Sequence, residues 1–122
     1  CEAYATNKTN STTSGGFFLT STTGVVLIRC LSHDNIGGTS GHGFNCTQPT
    51  LFINCISESN SGDGLRSSST TGLVAINCDF YNNGDSGIKG VVSAGTAKYM
   101  QIINSNFLKN IFFGFPFFLY KG

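Results

Sequence analysis

Asp63 and Asp85 are the residues whose type and spacing come nearest to a reaction. Two carboxylates of this kind could share the acid and base roles of glycoside cleavage. Arg66 and Lys89 each follow a Gly-apolar pair, Gly64-Leu65 and Gly87-Ile88, and could hold an acidic sugar beside those acids. Tyr81 offers an exposed ring as a binding platform. The competing explanation is a solvated patch of mutually neutralising charge, worth little to stability. No residue is therefore assigned as catalytic, and Asp63 and Asp85 stand only as the nearest candidates, with Arg66, Lys89 and Tyr81 as candidate ligand contacts.

His42, Asp63 and Ser86 fall at corresponding places in successive segments and suggest a hydrolytic relay. The order is wrong for one, because the histidine has to lie between the serine and the acid. With one segment per rung, Ser86 would stand roughly 9–10 Å from His42, beyond hydrogen-bond reach. His33-Asp34 reads as part of a turn beside Asn35, where such residues bond local backbone.

Five cysteines leave at least one thiol unpaired. Cys30, Cys55 and Cys78 recur one segment apart, which makes a line rather than a tetrahedron, so no metal site is expected. A rung of ~4.8 Å also exceeds the ~3.8 Å between bridged Cβ atoms. The expectation is buried, reduced thiols acting as small hydrophobes, with Cys46, outside the line, as the exposed one. The chain holds no phosphate loop, dinucleotide motif, zinc motif or nucleophile elbow, and no cofactor is expected.

The elements that would position these residues are repeats. Leu27-Ile28-Arg29-Cys30, Phe52-Ile53-Asn54-Cys55, Ala75-Ile76-Asn77-Cys78 and Ile102-Ile103-Asn104-Ser105 recur at intervals of 25, 23 and 27 residues. Asn35, Asn60, Asn83 and Asn110 follow each anchor by five. Gly64-Leu65, Gly87-Ile88 and Gly114-Phe115 follow, and Gly43-Phe44 does so after an insertion. Gly16-Phe17 matches further upstream, and Cys1 lies 29 residues before Cys30 as a possible earlier anchor. Alternation along a strand predicts that Ile28, Ile53, Ile76 and Ile103 face inward with the cysteines, that Arg29, Asn54, Asn77 and Asn104 face outward, and that Ser32, Ser57, Phe80 and Phe107 face inward. On this register Ile76→Asp should abolish folding. The Asn column reads as a stacked turn that exploits asparagine's tolerance of left-handed backbone and its capacity to bond rung to rung.

Asn60-Ser61-Gly62-Asp63-Gly64-Leu65 and Asn83-Gly84-Asp85-Ser86-Gly87-Ile88 resemble the turns of right-handed parallel β-helix proteins of the pectin lyase-like superfamily. The resemblance covers residues 15–115. It implies an all-β solenoid of about five coils of 23–29 residues, and it is silent on activity, since unrelated functions share such coils. A leucine-rich repeat has a similar period, but its L-x-x-L-x-L run is absent. The expected organisation is one segment over 1–122: an irregular start at 1–14, coils over 15–110, and a Phe-rich terminal coil or cap at 111–122. In that last stretch Phe112, Phe113, Phe117 and Phe118 would meet flanking coils of a longer chain or partner subunits.

Composition narrows the rest. Charged residues are 11% and the net charge is +1 without a basic run, so neither nucleic acid nor an anionic membrane surface is an expected partner. No apolar run is long enough to span a bilayer. The chain opens on Cys1 without a basic-then-apolar segment, and five coils would rise only about 24 Å; both suggest a piece of a longer protein. The expected role is a non-catalytic rigid spacer, adhesion or assembly element of an extracellular, cell-surface or virion-associated protein. The alternative is a polysaccharide lyase, glycoside hydrolase or tailspike-like depolymerase.

Overall fold

The structure is a computed structural model that describes residues 1–4, 15–20, 23–37, 41–68, 72–91 and 100–110, and the backbone of 119–121. All regular structure among them is strand, and all strand pairing is parallel. The chain visits three faces in turn. The first face stacks β1 (Glu2–Tyr4), β4 (Leu31–His33), β7 (Ile56–Glu58), β10 (Asp79–Tyr81) and β13 (Asn106–Leu108). The second stacks β2 (Gly15–Leu19), β5 (His42–Cys46), β8 (Leu65–Ser67) and β11 (Ile88–Gly90). The third stacks β3 (Val25–Ile28), β6 (Thr50–Ile53), β9 (Leu73–Ile76), β12 (Met100–Ile103) and β14 (Leu119–Lys121). This is a parallel β-solenoid. Its extent is nearer three full turns, with partial coils at either end, than the five expected.

Short strands meet at sharp corners, and the corners explain the sequence columns. Arg29, Asn54, Asn77 and Asn104 end the third face with φ between 48° and 54°. Asp34, Ser59, Asn82 and Lys109 end the first face with φ between 52° and 56°. Asn, at four of these eight positions, enters this region at little cost, as does Asp. One left-handed residue turns the chain, and a buried position follows it at once: Cys30, Cys55, Cys78 and Ser105 after the first kind of corner, Asn35, Asn60, Asn83 and Asn110 after the second.

The expected inward Ile column is corrected by this geometry. A left-handed corner does not count as a strand step, so the alternation restarts across it. The inward residues are Leu27, Phe52, Ala75 and Ile102, three before each anchor, of which the last three are fully buried. Ile28 is 54% exposed, and Ile53, Ile76 and Ile103 stand in register with it on the outer surface. The expected left-handed conformation of the Asn column moves as well: it belongs to the preceding residue, and the Asn side chain points into the core. Glu2–Tyr4, placed in an irregular start, is a strand paired with β4. Residues 5–14 and residues Phe112, Phe113, Gly114, Phe115, Phe117 and Phe118 lie outside the described residues.

The Ser32, Ser57, Phe80, Phe107 column does face inward. Phe80 stacks on Phe107 at 5.4 Å, and Phe17 on Phe44 at 5.2 Å. The aligned column Phe17, Phe44, Leu65 and Ile88 is in register, insertion included.

The Asn amides form a continuous ladder. Asn35 Nδ2 donates to Asn60 Oδ1 at 2.8 Å, Asn60 Nδ2 to Asn83 Oδ1 at 3.0 Å, and Asn83 Nδ2 to Asn110 Oδ1 at 3.0 Å. Each receiving oxygen also accepts the backbone N–H of the preceding Asn. Ser57 Oγ accepts from Asn60 Nδ2 and donates to the Gly64 carbonyl. The glycines beside the ladder leave room for it: a Cβ on Gly64 would stand 2.6 Å from the Gly87 carbonyl oxygen and 2.7 Å from Asn83 Nδ2, closer than packed atoms come.

Two stability predictions follow. Ile76→Asp should fold, losing about 1 kcal/mol or slightly more of strand preference, whereas Ala75→Asp, one residue away, should unfold the stack by burying an unpaired charge; thermal melts followed by circular dichroism separate the two registers. Asn60→Ala removes the oxygen that accepts from the Asn35 backbone N–H and Nδ2 and one of the two donors to Asn83 Oδ1, and should cost about 2–4 kcal/mol in urea titration.

Candidate functional site

Beyond the ladder the chain turns into the second face, and this turn brings together most of the residues that could do chemistry. The insertion in the first full coil delivers His42 onto the rung above Asp63, and Asp63 stands above Ser86. His42 and Asp63 are both fully buried and Ser86 nearly so. His42 Nδ1 lies 3.2 Å from Asp63 Oδ2 and accepts the backbone N–H of Asp63 at 3.0 Å. The backbone N–H of Ser86 donates to Asp63 Oδ1 at 3.2 Å. Asp63 Oδ2 has no hydrogen-bond partner among the described residues. Asp63 thus occupies the middle of the row, the order that a serine relay does not use.

Burial dominates the electrostatics here. It pushes the Asp63 carboxyl up to about 6. It brings the His42 imidazole down to about 4, helped by the positive charges of Arg66 and Lys89. Both shifts favour neutral side chains, as expected for ionisable groups without water.

The four residues proposed for an acidic sugar are separated by the fold. Arg66 and Lys89 are in register on β8 and β11, half-exposed, so the basic column exists. Asp85 pairs with Lys89 at 3.0 Å. Asp63 is sealed inside, where a ligand on the outer surface does not reach it. The Arg66 guanidinium turns toward His42 Nε2, 3.5 Å away.

Tyr81 lies on the outer surface of the first face, 38% exposed. With Asp79, Asn106 and Leu108 it lines a shallow hollow of ≈ 340 Å³. Asn106 Nδ2 donates to Asp79 Oδ1 across the rung at 2.7 Å.

A second polar cluster escaped sequence reasoning. His33 Nδ1 bonds Asp34 Oδ2 at 2.7 Å, its Nε2 bonds Glu2 Oε1 at 2.8 Å, and its ring stacks on Tyr4 at 5.3 Å. The hydrogen bonds to Asp34 and then Glu2 raise its pKa, because imidazolium can donate from both nitrogens. The signal was present in the repeat: with Cys1 as an anchor, Glu2-Ala3-Tyr4 aligns with Leu31-Ser32-His33.

Cys30, Cys55 and Cys78 are buried and unbridged. Cys46, expected at the surface, is also buried, its Sγ aimed at the Arg66 carbonyl; the exposed thiol is Cys1. The Cys78 thiol is pushed up by its contact with Cys55 and by burial. Asn45, within an Asn-Cys-Thr sequon, is only 5% exposed. Among the described residues no three His, Cys, Asp or Glu side chains converge to hold a metal ion, and no helix is long and apolar enough to cross a membrane.

The third face has a different character. Its outward columns are Val26, Leu51, Val74 and Gln101, and beside them Ile28, Ile53, Ile76 and Ile103. Seven of these eight side chains are aliphatic and none is charged. Arg29, Asn54, Asn77 and Asn104 form a polar rim at one side, where Asn104 Nδ2 donates to Asn77 Oδ1 at 2.7 Å.

Comparison with protein-family models, curated proteins and solved structures gives no match for this chain.

The two histidines should titrate in opposite directions. In NMR the His33 ring should change charge above pH 6.5, and Glu2→Gln should lower that midpoint, while His42 should stay neutral to well below it. Because the His33 shift is upward, its contribution to stability is present at low pH and fades as pH rises through the shifted value.

Proposed function

We propose that this chain is a non-catalytic segment of a parallel β-helix of the pectin lyase-like type, acting as a rigid assembly element of a larger surface, spike or virion-associated protein. The observation that carries this reading is the outer surface of the third face. From β3 to β12 this mainly aliphatic outer surface, whose polar rim holds the one charge of those rungs at Arg29, has the composition of an interface core; β14 then brings Lys121 into register with Ile103. Its two columns repeat at the rung spacing, so a like face of a neighbouring β-solenoid subunit matches it ridge for ridge at the usual ~10 Å sheet separation.

The area sets the strength. Four rungs of four residues present about 250 Å², roughly a third of the ~800 Å² per partner in a standard stable interface. Association through this chain alone is therefore weak, and each further coil carrying the same columns adds to it. The candidate acids support the non-catalytic side of the reading: Asp63 is buried against His42, and Asp85 is tied to Lys89.

The hollow beside Tyr81 favours one narrower alternative, carbohydrate binding on the first face. A ring for stacking stands there next to a carboxylate and an amide, the groups that pair with sugar hydroxyls. Asp79 gives that hollow a negative wall, which suits a neutral sugar better than an acidic one.

Sedimentation velocity over a concentration series tests the assembly reading. The native chain should shift to larger species as concentration rises, and Ile53→Lys/Ile76→Lys should stay monomeric with secondary structure intact. A native chain that remains monomeric throughout, combined with cleavage of any polysaccharide in a panel of acidic and neutral polymers, would replace this reading with the enzymatic one.

A further inference from the structure

We infer that His42 and Asp63 hold a single proton that changes owner on folding: it resides on the imidazole in the unfolded chain and on the Asp63 carboxyl in the stacked one.

The geometry leads there directly. The Asp63 backbone N–H points at His42 Nδ1 from 3.0 Å, so Nδ1 presents a lone pair and carries no proton. Asp63 Oδ2 faces the same nitrogen at 3.2 Å. An ionised carboxylate would then set two acceptors against each other, with Oδ2 fully buried and without a hydrogen-bond partner among the described residues. A proton on Oδ2 removes the clash of acceptors and turns Oδ2 into a donor toward Nδ1, whose one lone pair it shares with the Asp63 N–H. Oδ1 is already served by the Ser86 backbone N–H.

The surrounding charges agree. Arg66 on β8, which can only donate, stands at a limiting 3.5 Å from His42 Nε2; with the ring proton on Nε2 this is a charge contact and not a hydrogen bond, and Lys89 on β11 stands on the next rung. Both oppose a second positive charge on the imidazole. Asp85, in the turn before β11, is paired with Lys89. On the other side β2 places Gly15 opposite His42 and brings no charge. The pair thus holds the neutral carboxylic acid and neutral imidazole, not the ion pair that a His–Asp contact usually suggests.

The consequence is a compensated pH response. His42 falls from 6.5 to about 4 on folding, so between those values the folded state binds fewer protons at this site and acid works against it. Asp63 rises from 3.8 to about 6, so between those values the folded state binds more, and stability from this site falls as pH rises. The windows overlap from about pH 4 to about pH 6, where one proton lost on histidine is regained on aspartate. The native pair therefore leaves stability flat with pH across that interval, and either residue alone would not.

Asp63→Asn tests this well, because a carboxamide is isosteric with the neutral acid and can donate Nδ2–H to His42 Nδ1. Urea unfolding between pH 4 and 7 should show Asp63→Asn at least as stable as the native chain at pH 7. Its folding constant should then fall with acid by up to about tenfold per pH unit below pH 6.5. His42→Asn should show the opposite slope, losing stability as pH rises. NMR of the native chain at pH 5 is the independent arm and needs no variant: it should give an imidazole protonated on Nε2 only, and an Asp63 carboxyl carbon that titrates near pH 6. An imidazolium protonated on both nitrogens at pH 5, or an Asp63→Asn chain that is far less stable than the native one at neutral pH, would overturn the inference.

Discussion

The amide ladder running from Asn35 through Asn60 and Asn83 to Asn110 is the constraint on which the rest of the molecule depends. A short coil has to turn sharply, and a sharp turn leaves backbone N–H groups and carbonyls pointing into the core. The ladder satisfies them with side chains that repeat at the rung spacing. It accepts backbone N–H groups on one side, donates to carbonyls such as those of Ser32, Ser57 and Phe80 on the other, and bonds to itself between coils. Because it fills the corner, the adjacent residue has to be glycine, and the strand that follows can begin with a large apolar residue. The left-handed corner residues, the glycines and the Phe44 to Ile88 column are each placed by the space that the ladder takes.

This dependence also accounts for what could be read in the sequence. The period, the parallel architecture, the cysteine line, the inward Ser and Phe column and the Gly-apolar pairs were all legible, because columns of like residues survive without knowledge of backbone angles. The face on which a column lies was harder. The Ile column was assigned inward because strict alternation carries it there from the cysteines. A single left-handed residue at Arg29, Asn54, Asn77 or Asn104 breaks the count, and a residue type that tolerates φ > 0 does not announce that it adopts it. Asp63 was placed on the surface for a different reason: the alignment set His42 and Ser86 on the rungs beside it, but a row of turn residues does not announce that it is buried.

Polar residues in this stack therefore serve two ends, with different fates. Those near the corner that ends the first face are absorbed by the ladder or sealed beside it. The less regular ones, at Glu2, His33 and Asp34 and at Asp79, Tyr81 and Asn106, remain outside and exchange bonds rung to rung across the first face. Inside its polar rim, the outer surface of the third face is aliphatic from β3 to β12 save for Gln101. One wall is bonded, one is mixed and one is aliphatic, so the cross-section has a definite front and back even though each coil repeats the last.

The ladder also has a direction. Each Asn Nδ2 donates to the residue one coil further along the chain, so the four carboxamides are aligned head to tail. Amide dipoles of about 3.5 D each add when stacked in this way, whereas the dipoles within a sheet largely cancel. The solenoid is thus electrically polar along its axis, oxygen-first toward Asn35 and nitrogen-first toward Asn110. Any coil that continues the row past Asn110 has to greet it with an acceptor, and one that precedes Asn35 has to offer a donor. Stacking is vectorial: two such columns can be joined head to tail but not head to head.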